Sequence, residues 1–341
     1  MRFLVLDGSY FNKRLKELGH EVLSVGTEPG NDLRIERHMS LKGLMAFLDE
    51  KGFKPDVVLW CDMCRPPMVA GFENLPALTV GFSVDQYLNP WHVPYSAAFD
   101  LMLVAQKDYV RLFEHRVFPR PVEWFPLFCN EDVDRDRGLE RDIPVSFVGT
   151  LEGSINTGRK AFFSDFKKLQ PIVVTSGKYE PVFTRSSIVL NQSAAGELNF
   201  RLFQASACGA AVLNEDVGNG LRDIFTPGED LLPPYRRGDA SDAARIASQW
   251  LARPEELSRM ARAGRDLVVK DHSVTARTSR LVESARSMLA ARAWKWRLRN
   301  AEPVRRELFQ CFTFLATDEE LGMPRDHREF YAGLASAYSG A

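Results

Sequence analysis

Short apolar runs alternate with amphipathic stretches through the first third of the chain. Residues 2–6 and 21–25 predict strands, with a helix over 11–18 and a turn at Gly19-His20 between them. Residues 41–51 carry a helical period. The runs 56–60, 77–81 and 101–105 are almost continuously apolar, as strands buried on both faces are. A helix over 107–115 and a strand over 122–126 follow. This βαβ rhythm predicts a Rossmann-like domain. Residues 130–142 (NEDVDRDRGLERD) then break the pattern: charged and poor in core residues, they read as a solvated interdomain linker. The rhythm restarts with strands over 143–148, 171–175 and 187–191, and a helix over 159–169.

The most informative stretch is 196–232 (GELNFRLFQASACGAAVLNEDVGNGLRDIFTPGEDLL). Asn199 suits an N-cap and Gly209 a C′ position, which frames a helix over 200–208. Arg201 and Gln204, three apart, share one face. Residues 210–214 form a short apolar strand, and the loop Val217-Gly218-Asn219-Gly220 follows at its carboxyl end, where open α/β sheets bind ligands. A helix N-terminus with free N–H groups, together with Arg201, suits a diphosphate. Helices are expected over 240–251, 254–270 with Pro254 at its start, 273–291, and through much of 303–341. Residues 292–299 (RAWKWRLR) have two readings: contact with an anionic membrane surface, or tryptophans packed on another domain, which is preferred.

The length of 341 residues suggests two domains, and a formal net charge of -1 argues against a general nucleic-acid binder. No apolar run is long enough to span a membrane, and residues 3–6, closed by Asp7, do not make a signal peptide. Five cysteines in an odd, sparse set fit reduced thiols in a cytoplasm. Cys61-Asp62-Met63-Cys64 has the spacing of a redox or zinc pair, but no second ligand pair accompanies it, so neither a metal nor an obligatory disulfide is expected. Residues 153–160 (GSINTGRK) approach a P-loop, yet Arg159 sits where lysine is needed and no Ser or Thr follows Lys160 to hold magnesium. No G-x-G-x-x-G follows the first strand. Gly8-Ser9-Tyr10 is a tight turn, read either as plain β-to-α geometry or as a loop lining a cleft. His92, among Trp91 and Pro94, is either a packed loop residue or a general base or acceptor contact.

Asn199, Arg201, Phe203, Gln204, Ala205, Ala207, Cys208 and Gly209, then Gly220, then Gly228, Asp230 and Leu231, follow the pattern N-x-R-x-F-E-A-x-A-C-G, Gly loop, G-x-D-L. Over roughly 85–290 the chain resembles the GT-B glycosyltransferases, most nearly the "glycosyl transferases group 1"/CgeB-like (spore maturation protein-like) branch. The resemblance implies an α/β fold of two Rossmann-like parallel-sheet domains facing a cleft, with C-terminal helices. It divides the chain into an acceptor-side domain (1–130), a linker (131–141), a nucleotide-sugar-binding domain (142–290) and a helical extension (291–341) crossing back to the first domain.

The resemblance also names a site. Where the family has a Glu on the donor ribose, this chain has Gln204, which keeps hydrogen bonding but loses the charge. The E-x7-E spacing of retaining enzymes is absent: Gly196 stands eight residues before Gln204, with Glu197 one place off. The F-V-G-[ST]…R motif implies that Gly149 and Thr150 allow backbone approach and that Arg159 and Lys160 touch the donor phosphates. Tyr179 would lie near the base, and Asn199, Arg201 and Gly220 complete the donor set. Residues 85–95 (DQYLNPWHVPY) match the family's acidic segment and supply Asp85 and His92 as catalytic candidates, with Gly8 and Ser9 on the acceptor side. The implied reaction is transfer of a hexose-type sugar from a nucleoside diphosphate sugar to a glycan, lipid, protein or small-molecule acceptor, retaining, with no metal and no cofactor. A cytoplasmic enzyme is expected, with peripheral attachment to the inner membrane face as a variant. Two rivals stand beside it: a non-catalytic pseudo-glycosyltransferase subunit, which Gln204 favours, and a sugar-nucleotide 2-epimerase-like isomerase.

Overall fold

Apolar on both faces, the N-terminal runs assemble as parallel strands. β1 (Arg2–Asp7), β2 (Glu21–Gly26), β3 (Leu33–Arg34), β4 (Val57–Cys61), β5 (Leu78–Ser83), β6 (Leu101–Val104) and β7 (Val122–Trp124) form a seven-stranded sheet in the order β3-β2-β1-β4-β5-β6-β7. Every pairing in it is parallel. All five residues of β4 are buried. The two-residue β3 had no counterpart in the sequence reading, being too short for a periodic signal. The second sheet, β11-β10-β8-β9, comprises β8 (Ile143–Val148), β9 (Val173–Thr175), β10 (Ser186–Asn191) and β11 (Ala211–Asn214), again all parallel. This computed structural model describes residues 1–114 and 118–340, without the side chain of Ser154.

Two compact units result: Met1–Phe125 together with the chain from Thr278 onward, and Pro126–Arg277. Leu4, Leu6, Trp60 and Val104 of the first sheet share a core with Leu308, Phe312 and Leu315 of the helix Ala301–Thr317 and Tyr331 of the helix Arg325–Tyr338. In the second unit Phe147, Ile188 and Leu213 pack with Phe162 and Phe166 of the helix Arg159–Leu169. Ala243 and Ala247 of the helix Ala240–Leu251 complete that core. Phe162 and Phe166, four apart, present one apolar stripe to the sheet. In each sheet the strand order reverses once, between β1 and β4 and between β8 and β10. Crevices at the carboxyl ends of such strand pairs are where open α/β sheets hold ligands.

Three expectations change. The charged stretch 130–142 is not a bare linker, because it belongs to the second unit and is laced into it. Buried Asp134 accepts from the Asn130 amide at 2.7 Å, and Arg141 donates to the Ser186 and Cys208 carbonyls at 2.7 and 3.2 Å. Charge along the sequence hid these partners. The division between the units falls inside the helix Val274–Ala290, between Arg277 and Thr278, rather than at 290. The helix expected over 107–115 is a 3-10 turn, Lys107–Tyr109, continued by one α-turn, Val110–Phe113, while His115 lies outside the described residues.

Residues 292–299 fold into the first unit. The Trp296 ring meets Phe118 edge-on at 5.7 Å. Arg297 is buried and donates from Nε to Asp100 Oδ1 at 3.1 Å and from Nη2 to the Ala77 carbonyl at 2.7 Å. Arg297 is therefore a buried group, and Trp296 packs half-buried against the core of this unit. Among the described residues no helix is long and apolar enough to cross a membrane.

Removing one partner of a buried ion pair strands the other charge, at a cost of about 3–5 kcal/mol. With both side chains at most 4% exposed, Arg297→Met is expected to lower stability by about that amount in urea unfolding, and Arg297→Met with Asp100→Asn to recover part of it. A loss below about 1 kcal/mol for the single variant, the scale of a surface pair, would show that the pair does not anchor the C-terminal segment.

Candidate functional site

At the β8/β10 crossing two arginines converge on one phenylalanine. Arg159 opens the helix Arg159–Leu169 and is buried. Its Nη1 donates to the Thr150 carbonyl at 2.8 Å, its Nη2 to the Gln192 carbonyl at 3.1 Å and its Nε to Gln192 Oε1 at 3.1 Å. Arg201, in the first turn of the helix Phe200–Ala207, donates from Nε to the Val148 carbonyl at 2.9 Å. Its Nη1 reaches Asn191 Oδ1 at 2.8 Å and the Gln192 carbonyl at 3.3 Å. The guanidinium carbons stand 4.4 Å (Arg201) and 5.5 Å (Arg159) from the centroid of the Phe147 ring. Both cations are thus fixed by neutral acceptors on the residues that end β8 and β10.

Gly149 makes room for this arrangement. A Cβ there would stand 2.5 Å from Arg201 Nη2, so any larger residue displaces the guanidinium. Burial, and secondarily the neighbouring Arg159 charge, pulls Arg201 down to about 10. Burial likewise lowers Arg159, with Glu197 and Glu215 opposing. Neither arginine has a carboxylate within ion-pair distance among the described residues. A guanidinium pair, one member buried and one half-buried, with no carboxylate on either among the described residues, has the charge and donor geometry that suit a polyanion.

The loop before the second helix turns its amides inward. Glu197 accepts from the Ala194 and Ala195 amides at 3.0 and 2.7 Å, and Ser193 Oγ accepts from the Gly196 amide at 3.1 Å while donating to Glu215 Oε2 at 2.8 Å. Asn219, in the Gly loop, donates to the Gly196 carbonyl at 2.8 Å. Gly196 and Gly220 take φ of +85° and +83°, conformations that favour glycine. Asn199 occupies the N-cap position, but its side chain does not cap; it leans toward Glu197 at 3.5 Å, and its Oδ1 is buried without a partner among the described residues. The first N–H groups of this helix are therefore not taken by that residue.

Tyr179 and Gln204 meet at the same end of the second unit. Gln204 Nε2 donates to the Tyr179 hydroxyl at 3.1 Å, which donates to Asp134 Oδ1 at 2.8 Å. Lys160 is exposed, paired at 3.2 Å with an equally exposed Glu152, and shares none of the Arg159 contacts. Thr150 takes part through its carbonyl, its residue being exposed.

The first unit gathers a second group of polar residues at the carboxyl ends of β1, β4 and β5. The Gly8 amide donates to the Cys61 carbonyl at 3.1 Å, and a Cβ on Gly8 would stand 2.9 Å from both Cys61 Cβ and Met63 Sδ. Ser9 is exposed. Asp62 is buried and accepts from the amides of Cys64, Val84 and Asp85 at 2.7, 3.0 and 2.8 Å, which pins the β4 and β5 loops together. Asp85 is half-buried and accepts from the Tyr87 hydroxyl at 2.9 Å. His92 is buried against Trp60 and Trp91, with Nδ1 2.8 Å from Ser83 Oγ and Nε2 3.7 Å from Asp62 Oδ1. Asp7, at φ 64°, accepts from Trp60 Nε1 at 2.8 Å, and burial lifts its carboxyl to about 7.

Residues 144–283 match the family described as Glycosyl transferase-like. Among solved structures, sucrose-phosphate synthase from Thermosynechococcus elongatus is similar with a TM-score of 0.61 at 12% identity, over 85% of this chain and 100% of that one. A glycosyltransferase from Rickettsia africae gives 0.61 at 11%, over 84% and 98%. HepE of Anabaena, solved in complex with UDP and glucose, gives 0.60 at 11%, over 84% and 100%. None of the curated proteins compared with the chain matches it. The chain has the GT-B fold.

Several structural partners of this site escaped sequence reading. Phe147 and Gln192 are ordinary in type and gain meaning only from the two guanidinium groups over them. Asp134 lay in what looked like solvated linker. Asp7 and Asp62 did carry a signal, an acid directly after an apolar strand. His92 departs furthest from expectation. As a general base it would need to reach an acceptor, but its ring is enclosed by tryptophans and its pKa is pushed down by burial to about 3. It is a neutral packing group, whereas Asp85 of the same stretch is half-buried.

The sign of the linkage is fixed. The unfolded imidazole takes a proton below about 6.5 and the folded one only near 3, so the unfolded state binds more protons between these values and stability falls as pH drops through that window. One such proton gives a slope of at most about 1.4 kcal/mol per pH unit. His92→Gln is expected to flatten the wild-type fall between pH 6.5 and 3 when unfolding free energies are compared. Parallel profiles for the two proteins would mean that His92 is solvated and available for proton transfer.

Proposed function

We propose that this protein transfers a sugar from a nucleoside diphosphate sugar to an acceptor, with the diphosphate held at the β8/β10 crossing. The supporting observation is the Arg159–Arg201 pair: buried and half-buried respectively, anchored by carbonyls, and without a carboxylate on either guanidinium among the described residues. UDP is the first nucleotide to consider, because the similar HepE structures contain UDP or UDP-glucose. In this reading the first turn of the helix Phe200–Ala207 and Arg201 take the distal phosphate, while Arg159 keeps the crossing rigid and electropositive. Gln204 and Tyr179 face the ribose and base.

Charge accumulates on the diphosphate as the glycosidic bond breaks. Preorganised cations and N–H dipoles stabilise that charge without reorganising, so no metal or cofactor is assigned. Lys160, exposed and paired with Glu152, is left out of the phosphate set. Retention of configuration follows the family resemblance. Asp85, with Gly8 and Ser9 nearby in the first unit, is assigned to the acceptor side. Five cysteines without a pairing pattern support a cytoplasmic location. The alternative of a nucleotide-binding subunit without turnover rests on Gln204, whose amide is engaged by Tyr179 and lacks the family's charge.

Calorimetric titration with UDP, UMP and uridine tests the assignment. Arg201→Ala is expected to weaken UDP binding by about 1.5–3 kcal/mol, the scale of hydrogen bonds to charged groups, and UMP and uridine binding by less. Gln204→Ala should weaken all three alike. Equal losses across the three ligands for Arg201→Ala would remove the distal phosphate from Arg201. Release of glucose from UDP-glucose, with or without an added acceptor, separates a catalyst from a binding subunit.

A further inference from the structure

In the second unit a hydrogen-bonded chain runs Asp134–Tyr179–Gln204, and each step in it has a direction. Asp134 is 1% exposed; its Oδ2 accepts from the Asn130 amide at 2.7 Å and its Oδ1 from the Tyr179 hydroxyl at 2.8 Å. Burial raises the Asp134 carboxyl, and these two donors oppose the rise. Burial, and next the Asp134 charge, raises the Tyr179 phenol, so its proton stays on. A phenol has one proton, and Tyr179 spends it on Asp134. Its oxygen can then only accept, and the atom 3.1 Å from it is Gln204 Nε2.

The two ends of a glutamine amide have the same shape, so neighbours decide which end points where. Here the order of protons leaves one answer: Nε2 inward on Tyr179 and Oε1 outward. Gln204 is half-buried, and its Oε1 accepts from none of the described residues. Unlike Asn199 Oδ1, it is not shut off from water. Helical side chains lean toward the N-terminus, so Gln204 leans toward the turn that carries Arg201, three residues before it. The same order of protons bears on residue type. A carboxylate at position 204 would set a second acid on the Tyr179 oxygen, which has one proton to give.

We propose that Asp134 is a positioning residue for the nucleotide. Acting through Tyr179, it holds the Gln204 carbonyl oxygen toward the ligand, so that the site offers an acceptor and selects a sugar that presents hydroxyl groups. Oε1 has two lone pairs for O–H donors and repels a fluorine set in their place. The assignment deepens the nucleotide reading and rests on it. Gln204 touches the ligand; Asp134, two hydrogen bonds away, does not.

Calorimetric titration with UDP and with its 2′-fluoro and 3′-fluoro analogues tests this, because fluorine cannot donate. The wild type is expected to bind at least one analogue about three- to tenfold more weakly than UDP, the range of a neutral hydrogen bond. Tyr179→Phe frees the amide to turn and should close that gap. Arg201→Ala should weaken UDP and the analogues by a common factor and leave the gap open. Gln204→Glu should weaken UDP. Adding Asp134→Asn to it leaves a single acid on the Tyr179 hydroxyl and should restore part of the loss. If Asp134 were only structural, the double variant would bind UDP more weakly than either single one. That outcome, or a wild type that binds UDP and both analogues equally, overturns the proposal and leaves the diphosphate assignment standing. A wild type that binds no UDP removes the nucleotide reading, and the proposal falls with it.

Discussion

The second unit is organised by Arg201 passing over Gly149. The guanidinium lies on the Phe147 ring and ties the carbonyl ends of β8 and β10 together through Val148, Asn191 and Gln192. A Cβ on Gly149 would occupy the place of Nη2. This single constraint explains why a glycine follows β8. It also explains why the first turn of the helix Phe200–Ala207 reaches the strand crossing, and why Arg159 joins it on the same ring and the same Gln192 carbonyl. A guanidinium satisfied by backbone carbonyls keeps its full positive charge, where one paired with a carboxylate would not offer it to a ligand. The family match over residues 144–283 spans these elements.

The first unit solves a different problem. Carboxylates stand at or just after the ends of β1 and β4, Asp7 and Asp62, and both are buried with their pKa values raised. Asp62 is held by three backbone amides and fixes the loops carrying Cys64 and Asp85. His92 and the tryptophans behind it pack this floor rather than face a ligand. Beyond the sheet, the Arg297–Asp100 pair secures the C-terminal segment, whose helices complete the core of this unit.

The sequence announced the strands well, because parallel strands buried on both faces write themselves as unbroken apolar runs; Val57–Cys61 is an instance. It announced the helix Phe200–Ala207 by residue types that suit its two ends, Gly209 at φ +79° among them. It did not announce Phe147 or Gln192, whose contribution depends on which atoms fold back onto them. Nor did it distinguish Arg159 from Lys160, adjacent and alike in charge, until burial separated them. Asp134 and Arg141 illustrate the opposite error: charged residues in a charged run read as solvated, although each finds buried partners in the second unit. The general lesson is that periodicity reports burial of apolar groups, while buried polar groups depend on tertiary pairing that no local pattern encodes.

The central claim is that the arginine pair at the β8/β10 crossing receives the donor diphosphate. A crystal structure of the protein grown with UDP tests it most directly. The account predicts the distal phosphate over Gly149, within hydrogen-bond distance of Arg201 and of the first amides of the helix Phe200–Ala207. UDP bound elsewhere, with the arginine pair unchanged and no phosphate oxygen in reach of Arg201, would contradict it.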